Sequence, residues 1–171
     1  MAHKKPRQIA IGPNARLYFE DETTIRYQIQ EMLRIEKIFE AEGIQEELDT
    51  YNPLIPDGSN LKATFMLEYE DVEERQTMLA KLIGVERKVW IRVGEYAPIY
   101  PICDEDLSRE TEDKTSSVHF MRFEFTPEQI RALHKGDAMI IGVDHELISP
   151  NEVLVTGASR ESLLKDLKLM H

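Results

Sequence analysis

The stretch RQIAIGPNARLYFEDETTIRYQIQEMLRIEKIF, residues 7–39, decides the fold class. Two short β-prone runs flank Gly12 to Asn14, a turn composition typical of a strand hairpin. A helical pattern follows at once, because Asp21 to Thr24 offer capping side chains and apolar residues then recur at helical spacing up to Phe39. A hairpin joined directly to an amphipathic helix predicts an antiparallel sheet with a helix packed on it.

Strand and helix patterns interleave along the rest of the chain. They lie at 61–69, 70–84, 85–102 (two strands), 117–125, 126–136 and 138–145. Gly43 is predicted to end the first helical region, with one further turn and a loop up to Asn60. The sequence therefore predicts one α+β domain over 1–171, with a mainly antiparallel or mixed sheet and helices packed on a face. Its core spans about 7–145, and a C-terminal helix is predicted at about 158–169.

The composition excludes several classes of function. The 171 residues include 32 acidic and 21 basic side chains, a formal net charge of −11, which repels nucleic acid and anionic lipid surfaces. The single Cys103 forms no internal disulfide, and the sequence has no apolar run long enough for a membrane span. We therefore expect a cytoplasmic protein without a nucleic-acid or membrane partner.

Several segments together resemble a known bacterial family, domain of unknown function 3501. They are RYQIQEMLRIE (26–36), YNPLIPDGSNLKAT (51–64), EDVEER (70–75), ETEDKTSSVHFMRFEF (110–125) and GVDH (142–145). The likeness runs from about Arg7 to His145, and the segment before the first hairpin is short compared with the family pattern. Members of the family are described as neighbours of rubrerythrin-like and iron–sulfur redox proteins. The resemblance therefore implies a part in redox or peroxide-stress metabolism, with such a redox protein as partner.

Two polar residues interrupt the apolar arc of the first helix. Glu36 and Gln28 fall on the arc that holds Ile25, Ile29 and Phe39. A buried carboxylate persists only if it is paired or coordinated, so Glu36 is predicted as half of an ion pair, as an exposed helix end, or as a metal ligand or base. Its leading partner is Arg122, whose guanidinium binds carboxylates bidentately. With His119, these residues form a predicted buried polar site.

His119 is the strongest candidate for a metal ligand. It alternates with Met121 and Phe123 on one strand face, where a histidine is usually a hydrogen-bonded core residue. If other ligands converge on it, imidazole and carboxylate suit iron or zinc, and we consider Glu36, His119 and His145 as such a set. The chain lacks the paired Glu-x-x-His motifs of di-iron helix bundles.

A proline-stiffened loop, NPLIPDGSN (52–60), is the candidate ligand loop. Its short polar side chains can bind either the loop backbone or a ligand. These side chains belong to Asn52, Asp57, Ser59 and Asn60. The acidic segment that follows Cys103 is predicted as a solvated loop whose carboxylates raise the pKa of the thiol.

Two functions follow from these patterns. The first is a non-enzymatic accessory or interaction protein of redox metabolism, because the sequence contains no complete catalytic motif. The second is a small metal- or cofactor-dependent enzyme with its site between the first helix and the central sheet. The first predicts a protein partner, and the second predicts a bound metal or a ligand cavity.

Overall fold

The computed structural model describes residues 2–106 and 108–169. Its strands are β1 (Gln8–Ile11), β2 (Ala15–Glu20), β3 (Asn60–Leu67), β4 (Val89–Val93), β5 (Ile102–Cys103), β6 (Val118–Glu124), β7 (Met139–Val143) and β8 (Glu152–Leu154). Its helices are α1 (Glu22–Ile35), α2 (Ala41–Tyr51), α3 (Val72–Lys81), α4 (Pro127–His134) and α5 (Gly157–Leu164). The predicted α+β class is confirmed.

All described strand pairs are antiparallel and form two sheets. The larger sheet has the order β1-β2-β3-β6-β5, and the smaller has the order β4-β7-β8. The predicted hairpin around Gly12 joins β1 to β2, and Gly12 takes the positive φ of 71° that this turn requires. Sequential pairing of this kind explains why the sequence reads as hairpins rather than as βαβ units.

The core lies between the inner faces of the two sheets. Alternate residues of the larger sheet point into it, as the buried positions Leu17, Phe65 and Phe123 illustrate. The smaller sheet contributes residues such as Ile91 and Ile141 to the same cluster. Helices α3, α4 and α5 add leucines and isoleucines to this core. The other face of the larger sheet is therefore left for α1, α2 and the solvent.

Helix α1 ends earlier than predicted. Its last carbonyls are closed by a Schellman motif, in which the Ile38 N–H donates to Leu33 and the Lys37 N–H donates to Arg34. Lys37 takes the left-handed conformation, φ 56°, that glycine usually occupies at this position. Because no glycine marks the stop, the pattern alone extended the helix to Phe39, which is wrong by one turn.

Helix α2, with 11 residues, is longer than the single further turn that the sequence suggests after Gly43. Gly43 does not end a helix but lies in the first turn of α2, which runs to Tyr51. The structure describes every residue of α2, and none of them is buried. The helix therefore packs beside α1 without entering the core. The second predicted strand of 85–102 is reduced to an isolated Ile91–Ile99 bridge and β5, and the C-terminal helix ends at Leu164.

Candidate functional site

The outer face of the larger sheet forms the floor of a groove with a volume of 1010 Å³. Its walls come from α1, from the end of α2 with Pro53 and Leu54, and from the loop that follows β5. This is the place between the first helix and the sheet at which the sequence predicted an enzyme site.

The strand register arranges the groove floor in rows of different polarity. At one end of the floor, Met66 lies opposite Val118. In the next row Thr64 lies between Tyr18 and Phe120. A row of charged residues, formed by Glu20, Lys62 and Arg122 on adjacent strands, closes the other end. On β2 the Met66–Val118 row continues with Arg16, which bonds Glu68 at 3.2 Å and does not line the groove, so the part of this row that faces the groove is apolar.

Most charges at the polar end are held in fixed pairs. Arg122 bonds Glu105 at 2.6 Å and Glu124 at 2.5 Å, and these hydrogen bonds raise the pKa of the guanidinium. The Glu20 carboxylate accepts hydrogen bonds from two threonine hydroxyls, Thr24 at 2.6 Å and Thr64 at 3.3 Å. The Arg122 and Glu20 side chains are therefore already bonded to partners within this chain.

Lys62 differs from its neighbours in the same row. Its ammonium donates to the backbone carbonyl of Pro53, and no carboxylate of the described residues lies within 4 Å of it. On the wall, the Arg109 guanidinium stacks 4.6 Å from the centre of the Phe120 ring and bonds Asp106 at 2.6 Å. Five basic and four acidic side chains line the groove, so its balance is positive in a chain of net charge −11.

A second polar cluster surrounds His119 on the core side of the larger sheet. The imidazole is 0% exposed, with Nδ1 2.6 Å from an Asp104 carboxylate oxygen. Its Nε2 lies 2.8 Å from the Thr115 hydroxyl and 3.0 Å from the Ser116 carbonyl. Asp104 also accepts the Phe120 N–H at 2.9 Å, so the cluster fixes the loop beyond β5 to β6. This is the hydrogen-bonded core histidine that the alternation pattern favoured.

Glu86 completes this buried cluster. Its side chain is 2% exposed, and Oε2 lies 3.8 Å from His119 Nε2 without a hydrogen-bond partner among the described residues. Burial raises the pKa of the Glu86 carboxyl. Burial, followed by the charges of Asp104 and Glu86, raises the pKa of the Cys103 thiol to about 12. The sequence predicted this direction for Cys103 from the carboxylates, but burial is the larger cause. A thiol of this kind is a poor nucleophile.

The tip of the α1–α2 hairpin exposes a row of large apolar side chains, which we call the hairpin face. It consists of Tyr27, Ile35 and Phe39, which are 44%, 62% and 82% exposed. Tyr27 and Ile35 lie eight residues apart on α1, and Phe39 follows four residues later in the connection between α1 and α2. The sequence placed Ile35 and Phe39, though not Tyr27, on the apolar arc of the first helix, but of the residues on that arc only Ile25 and Ile29 are buried.

The predicted buried polar site does not form. Gln28 and Glu36 are exposed, and Glu36 is the C-cap of α1 rather than the partner of Arg122. Gln28 and Arg122 do line the groove together, whereas His119 points to the opposite face of the sheet. The separation follows from the alternation of β6, since residues 119 and 122 project to opposite faces.

The predicted metal site is not assembled either. The described residues contain no group of three histidine, cysteine or acidic side chains placed to hold a metal ion, so Glu36, His119 and His145 do not converge. The His145 ring instead accepts the Leu147 N–H through Nδ1 at 3.1 Å. None of the described helices has the length and apolar character needed to cross a membrane.

The candidate ligand loop binds its own backbone. The Asp57 carboxylate accepts hydrogen bonds from the Ser59 N–H and hydroxyl, both at 2.9 Å, and the side-chain Oδ1 of Asn60 accepts the Asp57 N–H at 3.0 Å. The Asn60 amide also donates to Glu124, while Asn52 is exposed in a short 3₁₀ turn. These contacts build an ordered connection to β3, and a ligand role for the loop stays a prediction.

A family model described as protein of unknown function (DUF3501) matches residues 1–167. This chain belongs to that family. A crystal structure of a novel protein of unknown function from Burkholderia pseudomallei K96243 is similar to it, with 52% sequence identity and a TM-score of 0.89. The match covers 98% of this chain and 86% of that chain. A comparison with functionally curated proteins finds no match. The resemblance to DUF3501 stated from the sequence is therefore confirmed.

Sequence reasoning missed most groove residues. Lys62 and Phe120 look like ordinary strand residues, and only the register of β3 and β6 places them beside Arg122 and Thr64. Polar residues alternating with core residues on three neighbouring strands were the available signal. Glu86 gave no signal, because it lies in a 3₁₀ turn whose burial depends on the packing of β5 and His119.

Proposed function

We propose that this DUF3501 protein is a non-enzymatic accessory protein that docks a protein partner through the hairpin face. The observation that carries the proposal is the exposure of Ile35 and Phe39 on a helical hairpin whose second helix is outside the core. Large apolar side chains grouped on a surface are typical of interaction sites. Amphipathic helices that lack an internal partner commonly bind one in a complex.

The charge of the hairpin favours a basic partner over a second copy of the chain. Helix α2 carries Glu42, Glu46, Glu47 and Asp49 and no lysine or arginine. Partial desolvation and the neighbouring Glu36 carboxylate raise the pKa of Glu47, as expected where acidic groups crowd together. Two such helices repel each other, whereas a partner with an apolar patch ringed by lysine and arginine complements them.

The family resemblance supplies the class of partner to test first. It implies an iron–sulfur or rubrerythrin-like redox protein, and we propose that the accessory role belongs to redox or peroxide-stress metabolism. Among proteins of this class, those with a basic, apolar surface patch fit the hairpin face. The proposal requires no chemistry from the DUF3501 chain itself, because the partner carries the redox centre.

Binding of purified rubrerythrin-like and iron–sulfur proteins to the immobilised full chain tests the proposal. We expect Phe39→Ser to weaken binding about tenfold or more, in line with the loss of a central apolar anchor. Leu154→Ser is the matched control, since Leu154 is 55% exposed on β8 and lies outside the hairpin. Equal binding by the Phe39 and Leu154 variants, or no binding by any redox protein, would overturn this function.

A second candidate is a small metal- or cofactor-dependent enzyme that uses the groove. The position of the groove between α1 and the larger sheet favours it, and Glu20 and Glu105 bring carboxylates to its polar end. Elemental analysis of untagged protein for iron and zinc tests this candidate. Near-stoichiometric metal in the wild type that falls in Glu20→Gln supports the enzyme, whereas an unchanged metal content in that variant rejects a groove site.

A further inference from the structure

We infer that the groove is a binding site for a medium-chain fatty acid, with the carboxylate at Lys62 and the alkyl chain along Phe120, Met66 and Val118. This site is separate from the hairpin face and does not depend on the proposed docking function. The inference rests on the polarity of the floor, the state of its charges and its dimensions.

The floor is amphipathic in one direction. Lys62 and Arg122 form a register pair at one end of the groove, and Met66 and Val118 form a register pair at the other. Between them, Phe120 lies opposite Thr64. A ligand that follows the strands therefore meets Lys62 at one end and Met66 and Val118 at the other, and it passes the Phe120 ring, on which the Arg109 guanidinium stacks from the wall. An anionic head with an apolar body has the same order of polarity.

Lys62 is the cation of the charged row that remains available to such a head group. Arg122 is shared between Glu105 and Glu124, and Glu20 is held by the hydroxyls of Thr24 and Thr64. The Lys62 ammonium has three donors, and the Pro53 carbonyl is the partner that it contacts. A carboxylate that binds Lys62 therefore adds a charge-assisted hydrogen bond without breaking an existing ion pair.

The dimensions select a chain of moderate length. Lys62 and Met66 are four residues apart on β3, which corresponds to roughly 13 Å at about 3.3 Å per residue. The groove volume of 1010 Å³ is close to the upper limit for small-molecule sites, about 1,000 Å³. An extended medium-chain fatty acid spans this distance, and a short acid such as acetate would leave the apolar end unfilled.

Calorimetric titration of the full chain with decanoate and with 1-decanol tests the inference. We expect decanoate to bind the wild type at least tenfold more tightly than decanol, because only the acid uses Lys62. A tenfold difference corresponds to about 1.4 kcal/mol. Equal affinity for the two ligands, or no binding of decanoate, would overturn the inference on the wild-type protein alone, without any variant.

Variants then locate the binding site. Lys62→Met should weaken decanoate binding about tenfold and leave decanol binding unchanged, since methionine keeps the apolar stem. Lys81→Met on the exposed side of α3 is the matched control and should bind decanoate as the wild type does. Decanoate binding that survives Lys62→Met but is lost in Phe39→Ser would assign the ligand to the hairpin face and refute the groove site.

Discussion

Replacing His119 by leucine is the sharpest test of the buried cluster. The change removes the donor that lies 2.6 Å from Asp104 and places an apolar group among three polar partners. The Asp104 side chain is 9% exposed, so water replaces the lost hydrogen bond poorly. Leaving a buried carboxylate without its partner typically costs about 3–5 kcal/mol.

The contacts that Asp104 keeps set the expected magnitude. Its other carboxylate oxygen still accepts the Phe120 N–H at 2.9 Å and faces Arg109 at 3.3 Å. We therefore expect the lower end of the range, about 3 kcal/mol of lost unfolding free energy for His119→Leu. Urea unfolding followed by the fluorescence of Trp90, the single tryptophan of the chain, measures it.

A double variant separates the charge from the shape of the site. Asparagine is tolerated at position 104, where φ is 50°, so Asp104→Asn removes the charge without new backbone strain. In His119→Leu/Asp104→Asn we expect the two effects to be less than additive, with a coupling of about 1–3 kcal/mol. A loss below about 1 kcal/mol in His119→Leu, or additive effects in the double variant, would refute the pair.

Three further changes test other buried features. Arg7→Met should lower the unfolding free energy by about 3–5 kcal/mol in urea titrations, because Arg7 is 2% exposed and binds Asp166; a loss similar to that of an exposed arginine would refute its anchoring role. Gly142→Ala should lower the melting temperature and alter the Trp90 emission, because an added Cβ would lie 2.2 Å from the indole; wild-type melting would contradict this close approach. Glu86→Gln should become progressively more stable than the wild type as pH rises above 4.5. The raised pKa of Glu86 means that the folded state binds more protons in that window, so wild-type stability falls there. A stability difference that stays constant with pH would show that Glu86 does not titrate during folding.

Local sequence signals were sufficient for the elements that carry their own caps and turns. Helix α4 begins as predicted, with Thr126 as N-cap in a capping box and Pro127 in the first turn. The β1–β2 hairpin follows from the turn at Gly12. The predicted end of α1 was wrong because Lys37, rather than a glycine, adopts the left-handed conformation directly after the C-cap, Glu36. Backbone geometry of this kind leaves no trace in residue type.

The predicted site required its residues to project from the same face of the sheet. Which residues become neighbours on a face depends on the strand register. Alternation on β6 correctly separated His119 from Arg122, yet the proposed site needed both to converge on one carboxylate. The Arg122 partners, Glu105 and Glu124, come from the loop after β5 and from the same strand. The Glu105 contact depends on how β5 pairs with β6. Strand β5 has only two residues, too few for the sequence to specify this pairing.

The groove and the hairpin face share one structural cause. Helix α1 buries Ile25 and Ile29 near its start and then leaves the sheet, while α2 returns beside α1 without entering the core. A helix pair that covered the outer face completely would bury Ile35 and Phe39 and fill the space above Phe120. Because the helix pair covers only part of the outer face of the larger sheet, the groove stays open and the apolar tip of the hairpin stays exposed.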